Sequence, residues 1–147
     1  MGPRFLIDTN AVISYFQDTL PPASADWLEA ALSEPIYAIS VITRLELFAS
    51  PKTDEEERRL MEDFVQSSLV LPLDEAVIQQ TIALRRQYRR KLPDAIIAAT
   101  ALAHGLTLVT RNVSDFKTTG LVVVDPHEVM QLPGFSSESG EDSGETR

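Results

Sequence analysis

A chain of 147 residues that is 44% hydrophobic has material for one compact domain and too little for two of ordinary size. It contains no cysteine, which excludes disulfides and thiolate metal sites, and its formal net charge of −9 argues against non-specific adhesion to nucleic acid over the whole surface. With no apolar run long enough to span a bilayer, and no charged stretch leading into an apolar signal core at the N-terminus, a soluble, cytoplasmic protein is expected.

In chain order, Arg4 to Ile7 is apolar on both faces from Phe5, as a central parallel strand is, and Asp8-Thr9-Asn10 then lies at its carboxyl end. A helix is expected from Ala11 to Phe16. Pro21-Pro22 breaks the chain before a second helix, Ala23 to Leu32, with Trp27, Leu28 and Ala31 on one face. Ile36 to Ile39 predicts the second strand, and Ser40 suits the N-cap of a helix from Val41 to Ala49 that carries Glu46 and is ended by Pro51. Asp54 to Gln66 predicts a surface helix with Leu60, Met61, Phe64 and Val65 on one face.

Leu69 to Leu73 is the third strand, placed at an edge because Pro72 cannot donate to a ladder. Asp74 caps a helix expected from Glu75 to Arg90. Lys91 leads into Leu92-Pro93-Asp94, where proline suits a first helical turn, and Ala and Ile continue that helix to the left-handed stop at Gly105. Leu106 to Val109 follows as a buried strand. Ser114-Asp115-Phe116 forms a turn, and Leu121 to Val124 is the last strand. Strands alternating with helices imply an α/β domain with parallel pairing. From Ser136 the chain has no apolar residue, so residues 1–135 are expected to form the domain and 136–147 a disordered acidic tail that holds three of the nine net negative charges.

Open α/β sheets place ligands outside the carboxyl ends of their strands. Asp8, Glu46, Asp94, and Asp115 or Asn112 are candidates to converge there. Oxygen donors of this kind suit Mg²⁺ or Mn²⁺, which accept phosphate oxygens and activate water. With only His104 and His127 and no cysteine, zinc does not fit. Each acid also has an ordinary reading. Asp8-Thr9-Asn10 ends a strand in a turn, Glu46 is a helix acid, Asp94 complements a helix dipole, Asp115 caps a turn, and His104 sits at a helix carboxyl end.

Four pieces taken together carry a resemblance beside these readings: Ile7-Asp8-Thr9-Asn10, Thr43-Arg44-Leu45-Glu46-Leu47, Leu92-Pro93-Asp94 through Ala101, and Leu108 through Phe116. In this order and approximate spacing the chain, up to about Glu128, resembles a PIN-domain ribonuclease, and most closely the toxin component of the VapBC toxin–antitoxin class. The resemblance implies a three-layer domain with a central, mostly parallel sheet of four to five strands flanked by helices. It implies an Mg²⁺-dependent endoribonuclease, with Mn²⁺ as an alternative ion, inhibited by a small antitoxin and assembled as a homodimer through the helices around Trp27–Leu32 and Leu60–Val65.

Carried over by position, Asp8, Glu46 and Asp94 are the metal ligands. Thr9 and Asn10 support the first carboxylate, and Thr110 stands at the pocket edge near the attacking water. The family's fourth acid is replaced here by Asn112, which leaves Asp115 as the nearest acid and the number of metals open. The basic run Arg85, Arg86, Arg89, Arg90 and Lys91 around Tyr88, with Arg44 and Arg111, is either a solvated face, an RNA contact or an antitoxin contact. Two rival functions are a PIN-like RNA- or protein-binding module without catalysis, and a phospho-aspartate signalling or phosphatase domain using Mg²⁺. Asp8 lacks the second aspartate that a dehalogenase-type phosphatase motif requires.

Overall fold

The computed structural model describes residues 2–34, 36–51, 54–117, 120–128 and 132. The expected tail, 136–147, and its boundary at 135 lie outside the described residues. Five strands form one sheet: β1 (Phe5–Ile7), β2 (Tyr37–Ser40), β3 (Leu69–Leu71), β4 (Thr107–Val109) and β5 (Val123–Val124). All neighbouring pairs are parallel, in the order β3-β2-β1-β4-β5. The flanking helices are α1 (Thr9–Phe16), α2 (Pro22–Leu32), α3 (Val41–Ala49), α4 (Glu55–Ser67), α5 (Glu75–Gln87) and α6 (Leu92–His104), with a 3-10 turn at Val113–Phe116.

The two-residue period of the strands divides the core. Phe5, Ile7, Tyr37, Ile39 and Val109 meet Val12, Leu28, Met61 and Phe64 from α1, α2 and α4. Leu6, Ala38 and Leu108 meet Val77, Leu84, Ile97 and Ala101 from α5 and α6 on the opposite face. The α3 helix bridges the layers, giving Leu47 to the first cluster and Ile42 to the margin of the second. Because α6 is buried from Ala95 to Ala101, it carries an apolar run and not a single apolar stripe.

Several boundaries differ from expectation for local reasons. Asp8 caps α1, so the helix begins at Thr9, two residues early. The α4 helix is docked and not merely superficial: the Phe64 ring stacks on Tyr37 at 5.9 Å and meets Phe16 edge-on at 5.6 Å. Leu60 points away from this contact and is exposed. The α5 helix stops at Gln87 instead of Arg90. A continuous helix would drive the Pro93 ring into the Arg89 carbonyl, so Tyr88 turns extended and Arg89, Arg90 and Lys91 form a connector.

Gly105 ends α6 at φ 65°, with its N–H on the Leu102 carbonyl and the Leu106 N–H on that of Ala101. A Cβ would meet nothing within 4 Å, so its cost is conformational alone. Gly105→Ala is expected to lower stability by about 1 kcal/mol in urea unfolding, with an unchanged denaturant slope.

Candidate active site

Sheet order reverses at β1, which pairs with β2 on one side and β4 on the other. The crevice between the carboxyl ends of β1 and β4 is therefore the place where this fold presents a ligand. Asp8 leaves β1 there and Thr110 leaves β4. The Asp8 N–H donates to the Val109 carbonyl at 2.9 Å, which prolongs the ladder into the site.

Asp8 is only 5% exposed, and both of its carboxylate oxygens are engaged. Oδ1 accepts from the Thr9 N–H at 2.8 Å and Oδ2 from the Thr110 hydroxyl at 2.7 Å. The Asp8 carboxyl is raised from 3.8 to about 6 in net: burial is the main cause, the charges of Glu46 and Asp94 add to it, and the hydrogen bonds from Thr110 and Thr9 oppose it. Glu46 is tied to the site through the Thr9 hydroxyl, and the charges of Glu46 and Asp94 both reach Asp8. Glu46 comes from the exposed face of α3, where its Oε1 accepts from the Thr9 hydroxyl at 2.5 Å, and Asp94 comes from the half-buried first turn of α6.

The other expected residues take different partners. Thr9 reaches Asp8 through its backbone, while its side chain holds Glu46. Asn10 bypasses Asp8: its Nδ2 donates to the Thr110 hydroxyl at 3.3 Å and its Oδ1 accepts from the Arg111 N–H at 3.1 Å. Thr110 is fully buried behind Asp8, positioning that carboxylate instead of facing the pocket. Asn112 contributes backbone, its N–H donating to Thr110 Oγ1 at 3.1 Å and its carbonyl accepting from the Asp115 N–H at 3.0 Å. Asp115 is exposed on the 3-10 turn and is not among the charges that act on Asp8.

Sequence reasoning missed Thr43. It is fully buried, with its hydroxyl 3.0 Å from that of Thr9. The available signal was its position one helical turn before Glu46, on the same side of α3. Arg44, two residues from Glu46, points elsewhere and lines an exposed groove with Leu45 and Phe48. Arg111 is exposed, and Arg85, Arg86, Arg89, Arg90 and Lys91 gather at the end of α5 and the connector.

The donor set fits a hard divalent cation. Asp8, Glu46 and Asp94 offer only oxygen, and a positive ion would relieve the like-charge repulsion that now raises Asp8. Among the described residues no group of three or more histidine, aspartate or glutamate side chains stands close enough together to hold a metal ion. An open arrangement suits Mg²⁺, which keeps several waters and takes one or two carboxylates.

The parallel sheet, with buried Asp8 in the crevice at its point of reversal, defines an α/β domain with an acidic crevice. The PIN domain family model matches residues 5–120, and the chain belongs to that family. It is 34% identical over 116 residues to Ribonuclease VapC10 of Mycobacterium tuberculosis, a match covering 76% of this chain and 84% of the relative. It is 31% identical over 137 residues to VapC ribonuclease Y4jK of Sinorhizobium fredii, covering 84% of this chain and 97% of that one. A chain from a toxin–antitoxin complex of Klebsiella pneumoniae superposes with a TM-score of 0.67 at 37% identity, covering 84% and 98%. One from a DNA-bound VapBC of Salmonella typhimurium gives 0.70 at 26% identity, covering 84% and 98%.

The folded protein holds the Asp8 proton more tightly than the unfolded chain does. This group's contribution to stability therefore falls as pH rises from about 4 to about 6, by on the order of 3 kcal/mol. In chelator, Asp8→Asn is expected to melt several degrees higher than wild type at about pH 8 and no higher at about pH 4. Equal melting temperatures at both values would show that the buried charge carries no such cost.

Proposed function

We propose that this protein is a metal-dependent endoribonuclease and the toxin of a toxin–antitoxin pair, acting in the cytoplasm and restrained by a cognate VapB-like antitoxin. One observation carries the catalytic part: a nearly buried aspartate at the sheet's point of reversal, joined to Glu46 through Thr9, whose amide serves Asp8 and whose hydroxyl serves Glu46. VapC ribonucleases at 31–34% identity, and solved toxin–antitoxin complexes with the same fold, support the partner and the substrate class. No helix among the described residues is long and apolar enough to cross a membrane.

Asp8, Glu46 and Asp94 would hold Mg²⁺, or Mn²⁺ in its place. The ion supplies charge neutralisation at the phosphodiester and a water acidic enough to ionise near neutral pH. The chain's own contribution is positional. Thr110 and the Thr9 N–H fix both oxygens of Asp8, and the Thr9 hydroxyl, backed by Thr43, fixes Glu46. Asn10 ties the β4 loop to α1 through Arg111. Attack by water in line with the leaving 3′-oxygen leaves a 5′-phosphate and a 3′-hydroxyl, and the RNA 2′-hydroxyl takes no part. Asp115 stands outside this set.

A homodimer follows the same reading, and of the helices expected from sequence α4 keeps Leu60 exposed. Leu28, Ala31, Met61, Phe64 and Val65 are spent in the protomer's own core. Leu45, 60% exposed, and Phe48, 43% exposed, carry the free apolar face on α3. A phospho-aspartate role is disfavoured, because Asp8-Thr9-Asn10 lacks the second aspartate that a dehalogenase-type phosphatase motif requires.

The test is cleavage of a structured-RNA pool by the purified, antitoxin-free chain with Mg²⁺, with EDTA, and as Asp8→Ala, Glu46→Gln or Asp94→Ala. Metal-dependent cuts with 5′-phosphate ends are expected, with losses of at least about a hundredfold in the Asp8 and Asp94 variants. Cleavage that survives both substitutions would remove the site assignment. Binding without cleavage under every condition would favour the non-catalytic module.

A further inference from the structure

Arg85, Tyr88, Arg89, Arg90 and Lys91 line a shallow depression of about 380 Å³ where α5 gives way to α6. We infer that this connector is an RNA-anchoring subsite that takes backbone phosphates beside the cleaved bond. The inference rests on the ribonuclease reading for the identity of the polyanion. Four of the chain's 13 lysines and arginines line this one depression, in a protein whose net charge is −9. No carboxylate among the described residues lies within 4.0 Å of any of them. Cations gathered this way repel one another unless an anion joins them.

Arg90 is fixed in place before any ligand arrives. Its Nη2 donates to the Lys117 carbonyl at 2.8 Å, and its guanidinium lies 5.6 Å from the centre of the Tyr88 ring. Its Nε is shielded from water and has no hydrogen-bond partner among the described residues. Beside it, Lys91 occupies the N-cap of α6 without a side-chain cap, so the positive end of that helix opens onto the same connector.

Position ties the subsite to the chemistry. Lys91 is one helical turn, about 5 Å of rise, from Asp94, whose charge acts on Asp8. A strand whose scissile phosphate lies at the acidic pocket therefore carries adjacent phosphates past the connector. The charge of the lining favours a polyanion. Four cations without a carboxylate partner among the described residues match the closely spaced phosphates of a nucleic-acid strand, and Tyr88 adds an aromatic face beside them.

The experiment uses the full chain in EDTA, where cleavage is absent, with a fluorescent ten-nucleotide single-stranded RNA followed by anisotropy over a range of salt. Arg89→Ala with Lys91→Ala is expected to weaken binding about tenfold at low salt and to reduce the slope of log K against log salt by about 1.4, two phosphates at about 0.7 each. Arg89→Lys with Lys91→Arg should restore the slope, with melting temperatures matching wild type. In Mg²⁺ the alanine pair should raise KM and leave kcat.

Unchanged affinity and slope would overturn the subsite, even if cleavage is robust. Binding lost in the alanine pair, with no cleavage by wild type, would uphold the subsite while the nuclease reading falls. RNA affinity retained while affinity for a cognate antitoxin drops would assign the connector to the protein partner and overturn the proposal.

Discussion

Two hydrogen bonds hold the Asp8 carboxylate out of water, one from the Thr9 amide and one from the Thr110 hydroxyl, and the geometry at the carboxyl end of the sheet depends on them. A carboxylate at 5% exposure is costly unless donors surround it. Those donors exist only if β1 and β4 are neighbours in register, with Ile7 beside Val109, so that the residues after each strand meet. The same contact seats Asn10 against the loop after β4, and the Thr110 hydroxyl accepts the Asn112 amide. Strand pairing, helix start and loop conformation thus converge on one acid.

The pocket trades stability for readiness. Glu46 and Asp94 raise the cost of ionising Asp8, and the protein bears that cost because the same three charges suit a hard cation. Thr9 is the hinge of this arrangement. Its backbone serves Asp8 and its hydroxyl serves Glu46, which couples α1 to α3 across the mouth of the crevice. Buried Thr43 stiffens that link from below, since a hydroxyl at full burial must find a partner.

Charge is divided along the chain as the chemistry requires. Asp8, Glu46 and Asp94 lie toward the crevice, whereas Arg85, Arg89, Arg90 and Lys91 line the α5–α6 connector. Pro93 creates this division. By ending α5 it prevents Arg89, Arg90 and Lys91 from spreading around a helix, and by opening α6 it sets Asp94 one turn beyond them. A PIN domain of net charge −9 can thereby present a local positive surface to a polyanion without becoming a general nucleic-acid binder.

By itself the sequence determined whatever rests on local rules. Apolar runs marked the strands, the caps Ser40 and Asp74 and the stop at Gly105 marked helix ends, and the alternation of elements implied parallel pairing. Asp8, Glu46 and Asp94 were expected as ligands only through the family resemblance that the four pieces carry together, and not through any one residue. Tertiary structure alone decided how the remaining polar groups are shared. That Thr110 sits behind Asp8, that the Thr9 hydroxyl turns to Glu46, that Thr43 matters and that Asp115 stays outside all depend on contacts between residues 34 to 102 positions apart. The α4 face was legible as apolar, but its burial against Phe16 and Tyr37 was not. Periodicity reports which face of an element avoids water, whereas hydrogen-bond partners and docking faces are chosen only once the sheet has brought distant segments together.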